Sequence, residues 1–174
     1  GNDAQAMADH LKRSGFNVKL KLDATRKDMQ EAIRAYGNEL AQQRSIGVFY
    51  FAGHGAQLAW RNYLIPIDAK INQAADMQQQ AVELGLLLES LKKAGNPMNV
   101  IILDACRDNP FGGTRLEQKG LSQIDAPPGT LLAYATSPGN VAADGLGQNG
   151  LYTEHLLKEI LMPEAKIEDV FKRV

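Results

Sequence analysis

The sequence predicts an α/β fold: a mostly parallel central sheet with helices on both faces and a small flanking hairpin. Three observations predict it. Helix-period and strand-like segments alternate along the chain, which is the pattern of strand–helix–strand crossovers. Two runs, residues 46–51 ("IGVFYF") and 100–103 ("VIIL"), are apolar almost throughout, as strands covered on both faces are. Turn residues punctuate the boundaries between them.

Ala4, Met7, Ala8 and Leu11 recur at i, i+3, i+4 and i+7 and make a first helix, with Gly15 as its stop. Residues 16–22 alternate in character and are expected as a strand. Thr25 followed by Asp28 is a variant capping box, opening a helix whose face is Met29, Ala32, Ile33, Tyr36 and Leu40. The run 46–51 is the next strand, and 58–67 ("LAWRNYLIPI") reads as a hairpin outside the main sheet. Leu84, Leu87, Leu88 and Leu91 form another helix, closed by "AGNP". Residues 100–103 and 130–136 are further strands. A helix over 152–161 ends at Pro163, and a last helix from about Ala165 carries Ile167, Val170, Phe171 and Val174 on one face. Residues 109–129 are rich in Gly, Pro and charge and have no period. That is long for a connection in a compact domain, so it is expected to be mobile or functional.

With 174 residues the chain is expected to form a single domain. A formal net charge of −1 is unlike the basic footprint of a nucleic-acid binder, and no apolar run has the length of a membrane span. A lone cysteine excludes an internal disulfide, and no Cys/His spacing fits a structural zinc site, so no metal site is assigned. By number alone the inert core reading of Cys106 wins over a chemical one, since free cysteine is among the most buried residue types.

The chemistry is expected where "VFYFAGHGAQ" and "NVIILDACRDNP" leave their strands. His54 and Cys106 each follow an apolar strand by three residues, and in parallel neighbours both would emerge on the carboxyl edge, where such sheets bind ligands. An imidazole beside a thiol there makes a nucleophile for amide hydrolysis. Gly53 and Gly55 would let a substrate backbone approach, with the backbone amides of Gly55 and Cys106 as oxyanion donors. His10, on the polar side of the first helix, and His155, on a helix surface, read as structural or solvated; Trp60 reads as hairpin packing more readily than as a cover over a substrate pocket.

In the caspase pattern a Q-A-C cysteine motif has its histidine about 50 residues upstream. This chain has "DAC" with His54 52 residues before Cys106, each after an apolar strand, together with "NYLIPID", "DACRDNPF" and "LLAYATSPGNVAADG". In that order they resemble the bacterial metacaspases, or orthocaspases, of the caspase clan of cysteine peptidases. The resemblance implies a caspase-hemoglobinase-like fold, with a large-subunit-like part over about 1–110, a linker over about 111–129 and a small-subunit-like part over 130–174. Against the family pattern, a strand ahead of the first helix and a last strand after Val174 are lacking. It implies Cys106 as nucleophile and His54 as general base and later acid, acting on peptide or protein substrates.

Specificity follows from charge. Caspases read aspartate with a basic pocket; here the pocket glutamine is replaced by Asp104, and the pocket arginine, laid without gaps on "YATSPGNVAAD", falls on Asp144. Two carboxylates favour Arg or Lys before the scissile bond, although each aspartate can also be read as turn chemistry. Ala52 stands where many metacaspases have serine, which weakens the pocket. Arg115 and Lys119 are candidate self-cleavage residues within the linker. The resemblance leaves calcium activation open, and no other cofactor is implied. Oligomeric state is not legible; the compartment is expected to be cytoplasmic, or periplasmic if a signal peptide precedes Gly1. Two other functions fit the same residues: a clan relative acting on another amide substrate, and a non-catalytic scaffold that binds partners through the cleft.

Overall fold

A computed structural model describes residues 2–106, 121–122 and 124–134 of the chain. Its elements run α1 (Asn2–Arg13), α2 (Arg26–Gln43), β1 (Gly47–Leu58), β2 (Arg61–Ile65), a 3-10 turn (Ala74–Asp76), α3 (Met77–Gln80), β3 (Val82–Glu83), α4 (Leu84–Ala94), β4 (Asn99–Cys106) and β5 (Thr130–Tyr134). The strands form one sheet in the order β3-β2-β1-β4-β5. β1, β4 and β5 are mutually parallel; β2 pairs antiparallel with both β1 and β3. The fold is therefore the expected α/β class, with a mixed rather than wholly parallel sheet.

Period-2 alternation divides the apolar strands between two helical layers. Phe49, Phe51, Ile101, Leu103, Leu132 and Tyr134 face α2 and α4, where Ile33, Leu40, Leu87 and Leu91 complete the larger core. Val48, Tyr50, Val100, Ile102, Leu131 and Ala133 face the other way and are covered by Met7 and Leu11 of α1. The near-continuous apolar runs of β1 and β4 thus reflect burial on both faces, as expected.

Local chemistry sets the helix ends. The Thr25–Asp28 capping box forms as expected: Asp28 N–H donates to Thr25 Oγ1 (3.2 Å) and Thr25 N–H to Asp28 Oδ2 (3.0 Å). α4 ends at Gly95, whose φ of 62° is the left-handed turn that glycine adopts without penalty. Asn96 fastens the amino edge of the sheet, donating to the Ser45 carbonyl (2.9 Å) and to Asn99 Oδ1 (2.8 Å), so the starts of β1 and β4 are tied through one amide.

Four expectations are corrected. Residues 16–22 are not a strand: the Phe16 amide instead closes α1 by donating to the Leu11 carbonyl, and no described strand lies alongside to pair with the segment. Phe16 and Leu22 are exposed, and Lys19 pairs with Glu39 at the surface. The 58–67 hairpin belongs to the main sheet, since its second strand, β2, pairs with the extended end of β1. His10 is buried at 3% exposure, because it sits one turn from Met7 and the covered stripe of α1 is wider than its apolar positions suggest. Trp60 is 77% exposed, occupying with Ala59 a tight β1–β2 turn at positive φ (64° and 48°) that carries its side chain into solvent.

Candidate active site

β1 is twelve residues long and runs through the histidine instead of stopping before it. The glycines in "FAGHGAQL" interrupt the apolar pattern but not the ladder. From Gly47 to His54 the strand pairs with β4, and from His54 to Leu58 it pairs with β2. His54 is the one β1 residue in register with both neighbours: Cys106 on β4 and Ile65 on β2. Cys106 likewise lies at the end of β4, not beyond it. His54 and Cys106 are thus register partners on adjacent parallel strands, at the carboxyl edge. The imidazole is exposed there.

Stepping back by two along both strands, Ala52 is the register partner of Asp104 and Tyr50 of Ile102. Asp104 is buried at 7% exposure, and Tyr50 Oη donates to its Oδ2 at 3.2 Å. A phenol hydrogen-bonded to a carboxyl oxygen helps to hold its rotamer. The residue that brings this order, Tyr50, gave no signal of its own, since a tyrosine inside an apolar strand reads as core. Counting back two positions from the partner of Asp104 would have found it.

The two glycines beside His54 have a packing reason. A Cβ on Gly53 would come within 2.9 Å of the Phe51 ring, and one on Gly55 within 2.9 Å of Leu121 Cδ2 and 3.0 Å of the Ala105 Cβ. On the face away from the His54 and Cys106 positions, that space is taken by the chain's own side chains. Leu121, at 2% exposure, is core. The next residue, Ser122, is bonded to Asn62, so the 109–129 segment is tied to β2 at this step.

Asp144, Arg115, Lys119 and His155 lie outside the described residues. Among the described residues no group of three or more His, Cys, Asp and Glu side chains could hold a metal ion. No described helix is long and apolar enough to cross a membrane. A hollow of about 300 Å³ opens at the β2–β3 edge between Arg26, Arg61, Tyr63 and Glu83, with neither His54 nor Asp104 in its wall. Its two guanidinium groups are engaged, Arg26 by the Ala81 and Gln78 carbonyls and Arg61 by Glu83.

Comparison with known proteins adds to this geometry. The family model described as "Caspase domain" matches residues 1–174. The human mucosa-associated lymphoid tissue lymphoma translocation protein 1 is 28% identical over 170 residues, covering 95% of this chain and 20% of the human protein. The mouse homolog is 28% identical over the same length, with 19% of it covered. The chain therefore spans about a fifth of the length of these curated relatives.

Proposed function

The chain belongs to the caspase family, and from that premise we propose that it is a cysteine endopeptidase with His54 and Cys106 as its dyad, cutting after Arg or Lys. The observation that carries the reading is the register pairing of His54 with Cys106 at the carboxyl edge of the sheet. In this mechanism His54 takes the thiol proton of Cys106, and the sulfur adds to the carbonyl carbon of the scissile bond. The backbone amides of Gly55 and Cys106 hold the resulting oxyanion. Collapse of the adduct breaks the C–N bond as protonated His54 returns its proton to the departing amine, leaving a thioester. Water, deprotonated by His54, then hydrolyses the thioester and regenerates the thiol.

Asp104 is the acid that reads the residue before the scissile bond, with Asp144 as a second. The buried carboxylate held by Tyr50 supports the first assignment; sequence alone supports the second. Within the family, "DACRDNPF" and "NYLIPID" favour a bacterial metacaspase. Peptides or proteins with basic residues are the substrates on this reading, and Arg115 and Lys119 are sites at which the chain cuts itself.

The test combines titration of Cys106 by iodoacetamide with hydrolysis of Arg-, Lys- and Asp-terminated fluorogenic peptides. Cys106→Ala and His54→Ala are expected to abolish hydrolysis with the circular dichroism spectrum unchanged. Equal hydrolysis of Arg and Asp peptides would overturn the pocket assignment. Undiminished hydrolysis by His54→Ala would overturn the dyad.

A further inference from the structure

The back of the His54–Cys106 pair is occupied by a residue from a stretch with no secondary structure. Gly55 and Ala105 immediately follow His54 and precede Cys106, and both sit on the opposite sheet face. Leu121 lies against Gly55, where a Cβ would stand 2.9 Å from its Cδ2, 3.1 Å from its Cγ and 3.0 Å from the Ala105 Cβ, and Leu121 and Ala105 share one core cluster. Leu121 is 2% exposed and belongs to the larger core.

Hydrogen bonds converge on the next residue. Asn62 Nδ2 donates to the Ser122 carbonyl (2.8 Å), and Ser122 N–H donates back to Asn62 Oδ1 (2.7 Å). Ser122 Oγ donates its one proton to Asn62 Oδ1 (3.0 Å), with the Trp60 carbonyl as the alternative acceptor at 3.4 Å, while Tyr134 Oη donates to the Ser122 carbonyl (3.2 Å). Asn62 is itself 3% exposed, so this two-way amide clamp operates away from water, where such bonds hold geometry most firmly. It joins β2, the β1–β2 turn, β5 and the Leu121–Ser122 step into one unit.

The location gives the unit a function. Among the described residues, His54–Cys106 is the last ladder pair between β1 and β4, and from His54 onward β1 pairs with β2. Leu121 packs beside this last described pair, at Gly55. We propose that Leu121, clamped through Ser122 by Asn62, is a positioning residue that sets the distance between His54 and Cys106 from behind. This rests on the peptidase reading above. Leu121 touches no substrate; it acts through the backbones of Gly55 and Ala105, and misplacement of a reacting pair by about 1 Å is enough to cost about a hundredfold in rate.

The experiment compares the parent with Leu121→Ala, Leu121→Val, Leu121→Met and Asn62→Ala. It reads kcat and KM on an Arg-terminated peptide, the pH profile of Cys106 alkylation by iodoacetamide, and the thermal midpoint. Leu121→Ala and Asn62→Ala are expected to lower kcat by about tenfold to a hundredfold, with KM within about twofold. The alkylation profile should move towards that of a free thiol, near about 8.5. Leu121→Met, which restores the volume, is expected to recover most of the loss. Should Leu121→Ala or Asn62→Ala not fold, Leu121→Val carries the test, with an expected fall in kcat of about threefold. A lowered thermal midpoint with kcat and the alkylation profile unchanged would reduce Leu121 to packing and overturn the proposal. A parent that hydrolyses no peptide and alkylates as an ordinary thiol would instead sink the peptidase reading, and the proposal with it. An active parent matched in kcat by every folded variant sinks the positioning role alone.

Discussion

The hydrogen bond from Tyr50 to Asp104 gives single residues a measurable consequence. Removing a desolvated charge from a pair costs about 2–5 kcal/mol, so Asp104→Asn is expected to cut kcat/KM on Arg peptides well over tenfold. Tyr50→Phe keeps the Asp104 side chain and removes one hydrogen bond to it, and a bond to a charged group contributes about 1.5–3 kcal/mol. It should therefore lower the same ratio by less than Asp104→Asn does, and an equal or larger loss would mean that Tyr50 meets the substrate itself. His10 bears on stability instead. Its Nε2 is buried without a partner among the described residues, and burial, then the charge of nearby Arg13, holds its pKa below the ordinary value of 6.5. Because the folded state resists the proton, this contribution is complete above about 6.5 and is lost as pH falls through the depressed value. The shifted carboxylates Asp28 and Asp76 titrate below 3.8 and do not contribute in that window. The urea midpoint should thus fall between pH 7.5 and pH 5, and His10→Leu should flatten that fall. An equal slope in the variant would assign it to other groups.

Elements show which signals sequence carries and which it does not. α2 was legible in full, because its capping box and its apolar face are local features that need no partner to act. β1 was legible only as far as Phe51: the glycines at 53 and 55 read as a break, and what keeps the strand going is β2, a partner that pattern alone does not reveal. The segment 16–22 failed for the inverse reason, having the alternation of a strand and no described strand to pair with. His54 and Cys106 stood out by scarcity, whereas Asn62 and Leu121 resemble any polar loop residue and any leucine. A further test lies where α2 crosses the start of β1. A Cβ on Gly47 would come within 2.5 Å of Tyr36 Oη, 2.7 Å of Asn99 Oδ1 and 2.9 Å of Leu40 Cδ1. Gly47→Ala is expected to cost about 1–3 kcal/mol of stability by overpacking. The Tyr36 hydroxyl is buried without a partner among the described residues, so Tyr36→Phe should be neutral or slightly stabilising, and in the double variant it should recover part of the loss. Strict additivity in denaturant unfolding would count against the contact.

At the scale of the molecule, two amide clamps bracket the sheet. Asn96 ties β1 to β4 at the amino edge, and Asn62 ties Ser122 to the carboxyl edge, where chemistry is proposed. The second clamp decides what self-cleavage would do. A cut after Arg115 or Lys119 would leave Leu121 and everything beyond it on the C-terminal piece. That piece is held by the burial of Leu121, worth about 1.5–3 kcal/mol, by the Asn62–Ser122 bonds and by the parallel pairing of β5 with β4 from Thr130 to Tyr134. Cleavage would therefore nick the domain without dividing it. Mass spectrometry of the active protein beside Cys106→Ala is expected to find new termini after Arg115 or Lys119 only in the active form. Gel filtration of the cut protein should give one particle of unchanged size, separating into two pieces only in denaturant. A fully active, uncut chain would end the self-cleavage proposal, and pieces that separate without denaturant would show that the clamp is too weak to hold the halves together.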